Sequence, residues 1–402
     1  MLTRLLVASK TKRQDLFSRR PTWAEIDLDA LAANFHLIKR HVGAAINVMA
    51  VVKANAYGHG AVACAQRLAA EGADWFGVAL PEEGIELRES GISQPILCLG
   101  GFWEGQAEAC VKYRLTPVVY RLDMMEALDR AARAAGVFVD VHLKIDTGMG
   151  RLGFRFDELD DAPAILKGFE NLRVDGLMTH FAAADDPACE QLTEDQIARF
   201  ASAASTFHQA GHQPTFMHSA NSAAIYSHSD SWCNMIRPGG VLYGLWRDVL
   251  PAAVDAAELQ PVMSLYSQIS LLKWVPAGET IGYGCTFEAS RKTLVATIPI
   301  GYDDGYPRAL SNRAHVLVRG VCASVVGRIS MDLTLVDVTG VPGVEVGDPV
   351  LLLGRDETAR LSITAEELAK ISGTLSYEIT CGIGKRVPRL VRSNTAVPPG
   401  VQ

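Results

Sequence analysis

Between about residue 46 and residue 245 the chain alternates short β-branched apolar runs with segments of helical period, and no other feature restricts its fold so tightly. The runs Ile46–Val52, Trp75–Ala79, Ile96–Leu99, Pro117–Tyr120, Val137–Ile145, Val174–Met178, Thr215–Met217 and Met235–Arg237 read as eight strands. Helical stretches such as Ala61–Ala70 and Asp123–Ala135 lie between them. Eight βα repeats in about 200 residues fit a TIM-type (β/α)₈ barrel, whose usual size is about 250 residues. A doubly wound open sheet is the rival arrangement.

Beyond about residue 255 the texture changes to strand-like runs punctuated by Gly and Pro: Val262–Val275, Thr293–Ile300, His315–Val318, Cys322–Ile329, Leu333–Val338 and Val350–Leu353. One helix, Ala365–Ser372, interrupts them, so this half reads as a separate, mostly antiparallel β-domain. The sequence thus predicts a basic extension (1–20), a barrel (21–255), a β-domain (256–392) and a loose tail (393–402). A helix, Leu28–Val42, precedes the first barrel strand, and the strand-like Ala24–Asp29 before it is a candidate to pack with the β-domain.

Net charge is −7, but residues 1–20 carry six basic side chains against one acid, Asp15, which leaves −12 on the other 382 residues. An acidic body argues against a nucleic-acid partner, because phosphate backbones are gripped by Lys/Arg surfaces. The leader's longest apolar run, Leu5–Ala8, is too short for a secretory signal, and no stretch of about 18 apolar residues suggests a membrane span. Eight scattered cysteines without a C-x-x-C pair suit buried free thiols in a reducing, cytoplasmic setting rather than a zinc site or disulfide frame. The pair His208/His212 has i,i+4 spacing but no Glu between, so it reads as a helix end at Gly211 and no metal site is expected.

The sharpest local signal is Val51–Gly60, VVKANAYGHG, where Lys53 ends the first barrel strand and a glycine-bounded turn follows. Catalytic groups of barrels sit at the C-terminal ends of strands. A lysine partly desolvated there has a lowered ammonium pKa and can form a Schiff base with an aldehyde.

That tract resembles the pyridoxal-phosphate lysine motif of alanine racemases. LKIDTGMGRLGF (Leu143–Phe154), THFAAAD (Thr179–Asp185), HSANSAA (His218–Ala224) and RPGGVLYG (Arg237–Gly244) follow in that family's order. So do GYGCTF (Gly282–Phe287), PIGYDDGYPR (Pro299–Arg308), GRISMD (Gly327–Asp332) and SYEITCGIGKRVPR (Ser376–Arg389). The resemblance spans roughly residues 22–392 and implies a barrel joined to a β-domain, with pyridoxal 5'-phosphate (PLP) as cofactor.

By that resemblance Lys53 holds the cofactor and exchanges the substrate's Cα proton, while Tyr283 is the opposing base, reaching the partner subunit's site in a homodimer. Tyr57, Ser222 and the amides of Gly239 and Gly240 would cradle the phosphate, with Tyr377 a further ligand on that side. Glycine suits such a cradle because a missing Cβ lets N–H groups approach an anion. Arg237 would face the pyridine nitrogen, supported by His180, and Arg151 would contact the cofactor's phenolic oxygen and the substrate carboxylate. Lys144 resembles the lysine carbamylated in many members, Met331 a residue contacting the substrate carboxylate through its backbone, and Tyr302 a residue near the entry channel. Ser330 stands where many relatives have Cys.

The implied activity is interconversion of L- and D-alanine, supplying D-alanine for peptidoglycan. A broad-specificity or serine racemase of the same family is the alternative; Lys144 disfavours the broad-specificity type, and the lack of a membrane-domain signal in the sequence disfavours the serine type. A non-catalytic PLP-binding homeostasis protein is more remote, because such proteins lack the β-domain.

Overall fold

A computed structural model describes residues 21–159 and 166–393. The predicted extension (1–20) and all of the predicted tail but Ser393 fall outside the described residues. The chain divides into two compact units, Ala30–Gln260 and a second formed by residues up to Asp29 together with Pro261 onward.

The first unit is a parallel barrel. Its strands are β1 (Asn47–Val51), β2 (Trp75–Val78), β3 (Ile96–Cys98), β4 (Thr116–Val119), β5 (Val139–Asp146), β6 (Leu172–Met178), β7 (Phe216–His218) and β8 (Met235–Ile236). Each pairs in parallel with the next through β7, and β8 pairs back onto β1. The seam between β7 and β8 is bridged by two backbone bonds, Asn234 N to Met217 O (3.3 Å) and Arg237 N to Ala220 O (3.0 Å). Closure leaves no exposed edge, which is why strands only two or three residues long suffice. The interior is filled by Met49, Trp75, Leu97, Val118, Met178 and Met235, drawn from six of the eight strands. This is the (β/α)₈ arrangement; the open-sheet rival is excluded by the backbone bonds that join β7 to β8.

The helices Leu28–Val42 and Ala61–Ala70 occupy their predicted spans, and Leu122–Ala135 begins one residue before its predicted start. Strand β5 begins later than Val137, because Gly136 (φ 66°) ends the preceding helix and leaves Val137 and Phe138 exposed in the connection. The helix Glu190–Gln209 stops just before Gly211 (φ 88°), which puts His208 on the helix and His212 beyond it.

The second unit is a mostly antiparallel sheet. Its order is Leu271–Val275, Thr293–Ile298, Thr334–Asp337, Val321–Val325, His315–Val318, Pro349–Asp356, Met263–Gln268, Thr22–Asp27 and Arg389–Arg392, with Leu361–Ile363 on Pro349–Asp356. The N-terminal strand Thr22–Asp27 is antiparallel to Met263–Gln268 and parallel to Arg389–Arg392, so residues 22–29 group with this unit rather than with the barrel. Ser393 Oγ lies 3.1 Å from Asp29 Oδ1.

Two local predictions differ from the structure. The run Val262–Val275 is two strands, because at Ile269–Ser270 the chain changes partners: Ile269 N bonds Asp348 O and Ser270 N bonds Thr297 O. A second helix, Ser376–Gly382, follows Ala365–Ser372 and carries Tyr377 in its first turn.

Candidate active site

All the barrel residues singled out by sequence lie beyond or at the C-terminal ends of strands: Lys53 after β1, Lys144 near the end of β5, Arg151 in the following loop, His180 after β6, Ser222 after β7, and Arg237, Gly239 and Gly240 after β8. Parallel strands direct their ends to one rim, so positions spread over nearly 190 residues of sequence meet there.

Lys53 opens a backbone turn that glycine would normally supply. Ala54, Asn55, Ala56 and Tyr57 all have φ of 53° or 54°, one turn of left-handed helix. For L-residues this costs about 1–2 kcal/mol each. Side chains hold it in place: Glu83 Oε1 accepts Ala54 N–H (2.7 Å), Asn55 Oδ1 accepts Ala61 N–H (2.8 Å), and buried His59 Nδ1 donates towards Ala56 O (2.9 Å) and Tyr57 O (3.0 Å). Strain held by surrounding structure is typical of preorganised sites. At the end of this turn the Tyr57 ring centroid lies 5.1 Å from that of Tyr243.

Tyr57, Ser222 and Gly239 form one cluster. Gly239 N–H donates to Ser222 Oγ at 2.9 Å, and a Cβ built on Gly239 would stand 2.5 Å from Tyr57 Oη. No other residue fits at Gly239 with this packing, so a small polar cradle of two hydroxyls and a backbone amide is preserved by the missing side chain.

At the same strand ends lies a group of basic residues. Arg237 is 4 % exposed; its Nη1 donates to His218 Nδ1 (2.9 Å), and its Nη2 faces Thr179 O (2.8 Å), Ser219 O (2.9 Å) and His180 Nδ1 (3.3 Å). Burial pulls its pKa down to about 10, which still leaves it charged at neutral pH. A guanidinium only donates, so His218 must accept at Nδ1 and carry its proton on Nε2. That proton is donated to His142 Nδ1, 2.8 Å away. His142 then carries its own proton on Nε2, which is buried without a hydrogen-bond partner among the described residues, near the Trp75 ring. Both rings must be neutral for this chain to exist. Burial, reinforced by the nearby Arg237 charge, does hold them so: the pKa of His142 falls to about 3 and that of His218 well below its usual value.

His180 is likewise kept neutral, by desolvation first and then by the charges of Lys144, Arg237, Arg151 and Lys53. Lys144 is buried among the same cations. Desolvation, then Arg237 and Arg151, depress its pKa well below the ordinary lysine value, against an opposing pull from Asp146. The site therefore brings together Lys53, Lys144, Arg151, His180 and Arg237. An anion-seeking group and a hydroxyl-lined cradle thus share the strand-end rim.

The remaining predicted residues belong to the second unit. Tyr283 is 71 % exposed at the tip of a short hairpin, Thr280–Ile281 against Phe287–Glu288, whose apolar residues Ile281 and Phe287 pack with Val275, Val295, Val326 and Leu335. Arg328 covers the turn so closely that a Cβ on Gly284 would meet its Nη1 at 2.7 Å. Tyr302 and Met331 are brought together by Tyr302 N to Ser330 O and Asp303 N to Met331 O, both 3.1 Å. Ser330 gives its departure from the common Cys a structural use: its hydroxyl donates to Leu333 O (2.8 Å) and accepts Leu333 N–H (3.1 Å), closing the turn that presents Met331. Arg386 binds Asp303 and Asp332, the neighbours of Tyr302 and Met331, and reaches Asp304 at 3.3 Å.

Family models of the alanine racemase N-terminal domain and C-terminal domain match residues 26–246 and 262–391. The chain belongs to the alanine racemase family. It is 44% identical over 382 residues to the alanine racemase of Symbiobacterium thermophilum, covering 95% of this chain and all of that protein. With the alanine racemase of Geobacter sulfurreducens it shares 45% identity over 375 residues, 92% of this chain and 97% of the relative. Among solved structures, the alanine racemase of Clostridium difficile 630 superposes with a TM-score of 0.86 at 38% identity, covering 93% of this chain and 96% of that one. An alanine racemase from a D-cycloserine-producing Streptomyces lavendulae gives 0.87 at 36% identity, covering 94% and 98%.

Sequence reading missed His142, His218 and Thr179 as site residues. A signal existed for His142: it lies two residues before Lys144 on β5 and so shares its face. His218 and Thr179 stood inside recognised tracts, but only the closed barrel brings them to Arg237.

Proposed function

We propose that this family member interconverts L- and D-alanine with PLP at the barrel mouth. The observation that carries the reading is the cradle of Tyr57, Ser222 and Gly239 at the same strand-end rim as a group of basic residues that includes Lys53. The donor set fits the cofactor: hydroxyls and amides of Tyr57, Ser222, Gly239 and Gly240 for the phosphate, an amine at Lys53 for the aldehyde, and donors at Arg237 and Arg151 for ring nitrogen and phenolic oxygen; Tyr377 is assigned as a further phosphate ligand on the family resemblance alone. When bound, the cofactor supplies an electron sink that makes the substrate's Cα proton removable.

The protein's part is proton handling and restraint. Lys53 takes or returns the Cα proton on one face, and Tyr283 of a second copy does so on the other, which makes a homodimer part of the reaction. Arg237, donor-only and charged, leaves a facing nitrogen unprotonated, which keeps the sink weak and favours simple proton exchange over loss of carboxylate. Arg151 and the Met331 backbone receive the substrate carboxylate, with Tyr302 near the entry. The product serves peptidoglycan synthesis in the cytoplasm; among the described residues no helix is long and apolar enough to cross a membrane.

Purified protein with PLP and L-alanine in deuterium oxide is expected to yield D-alanine deuterated at Cα. Absence of both inversion and exchange would overturn the reading. The same incubation with L-serine separates an alanine enzyme from a broad-specificity one.

Lys144 is assigned a carbamate. A buried amine held neutral is a nucleophile for carbon dioxide: its nitrogen bonds the carbon, one proton leaves, and a neutral amine is replaced by an anion among Arg237, Arg151 and Lys53. Native mass measurement at pH 8 in bicarbonate is expected to show one added carbon dioxide, lost in Lys144→Arg. An unmodified wild-type mass would refute the assignment.

A further inference from the structure

Gln196 stands midway along the helix Glu190–Gln209 with no solvent exposure, an unusual place for a side chain with four hydrogen-bonding sites. Its partners explain why it is there. Nε2 donates to Thr147 Oγ1 and to His180 O, both at 3.1 Å, and Oε1 accepts Ala182 N–H at 3.0 Å. Thr147 follows β5 at the start of the loop leading to Arg151; His180 and Ala182 follow β6. One amide therefore joins the two loops.

The join is reinforced on both sides. Thr147 Oγ1 lies 2.8 Å from Thr179 Oγ1, linking the same two strand ends directly. Three residues further along the helix, Arg199 Nη1 donates to Thr147 O (2.9 Å) while its guanidinium lies over the Phe156 ring at 4.8 Å. Gly148, with φ 140°, lets that arm pass: a Cβ there would stand 3.2 Å from Arg199 Nη1. Asp146 Oδ1 then caps Gly148 N–H and Gly150 N–H, which fixes the chain up to the residue before Arg151.

We propose that Gln196 is a positioning residue that sets the Arg151 loop against His180, and through them the place of the substrate carboxylate beside the cofactor ring. The inference rests on the racemase reading for its consequence, but not for its geometry. An apolar residue of similar shape, Met, would fill the volume and leave Ala182 N–H, His180 O and Thr147 without their partner. Buried groups left this way move to find others.

Wild type and Gln196→Met are compared as PLP-loaded enzymes by amide hydrogen exchange and by steady-state kinetics on alanine. The Ala182 amide is expected to exchange about 10-fold faster or more in the variant, and kcat/KM to fall about 10- to 100-fold, with a raised KM, since a displacement near 1 Å at a reacting centre costs about that much. A filler role alone would lower thermal stability and leave KM unmoved. Gln196→Glu, which keeps the acceptor for Ala182 but loses the donors, is expected to restore Ala182 protection. If Gln196→Met does not fold, Thr147→Val, which removes one partner and little volume, takes its place with a rise in KM of a few fold. Unchanged Ala182 exchange, or faster exchange with KM and kcat within twofold of wild type, overturns the proposal; so does an unchanged KM in Thr147→Val. Should wild type itself fail to racemise alanine, the racemase reading falls while the exchange comparison still decides the join.

Discussion

Lys53→Ala is expected to lower turnover by about 10⁴-fold or more, because the residue combines a covalent and an acid–base role and the acid–base part alone is worth about 10²–10⁴. The backbone here makes the variant informative. Lys53 precedes the left-handed turn, whose staples Glu83, Asn55 and His59 reach backbone groups of Ala54, Ala61, Ala56 and Tyr57. The turn and the Tyr57–Ser222–Gly239 cradle should survive the substitution, so phosphate binding persists while covalent attachment is lost. Borohydride treatment is expected to fix the cofactor to the wild-type chain and not to the variant, and a small added amine should restore part of the attachment chemistry. Turnover within 10-fold of wild type would remove Lys53 from the mechanism.

For Tyr283→Phe the expected loss is about 100- to 10,000-fold, the usual range for an acid–base group, with abstraction from one enantiomer hit hardest. The hairpin that carries Tyr283 is anchored by Ile281 and Phe287 in an apolar cluster, and phenylalanine keeps the ring, so the change removes one hydroxyl from an intact presentation. A free phenol has a pKa of about 10 and is a poor base at neutral pH, so catalysis through it requires positive neighbours once the site is assembled. Solvent-deuterium incorporation measured separately from L- and D-alanine gives the asymmetry. Equal, small losses in both directions would exclude the two-base assignment.

Much of the architecture was legible because its signals are periodic. Barrel strands are buried on both faces and read as continuous apolar runs, helices repeat every 3.6 residues, and the helices Leu28–Val42, Ala61–Ala70 and Ala365–Ser372 fall on their predicted residues. Failures came where a neighbour decides. The run Val262–Val275 shows no internal break in composition, yet it splits where two different strands compete for it at Ile269–Ser270. The helix Ser376–Gly382 is seven residues of modest propensity, too short to form without the helix beside it. Burial, which no short stretch reveals, brings the pKa of Arg237 down to about 10 without changing its charge at neutral pH.

The sequence by itself determined the two-part plan, the chemistry-bearing residues and their positions at strand ends, since periodicity and residue type are properties of short stretches. Tertiary structure alone decided how those residues are held and charged. Gln196 and His218 lie on two different elements, and nothing local marks them as partners of His180 and Arg237. Closing the barrel buries them together. Desolvation then fixes which nitrogens carry protons, because a buried ring surrounded by fixed positive charge cannot gain another, and a buried amide must find partners wherever the fold brings them.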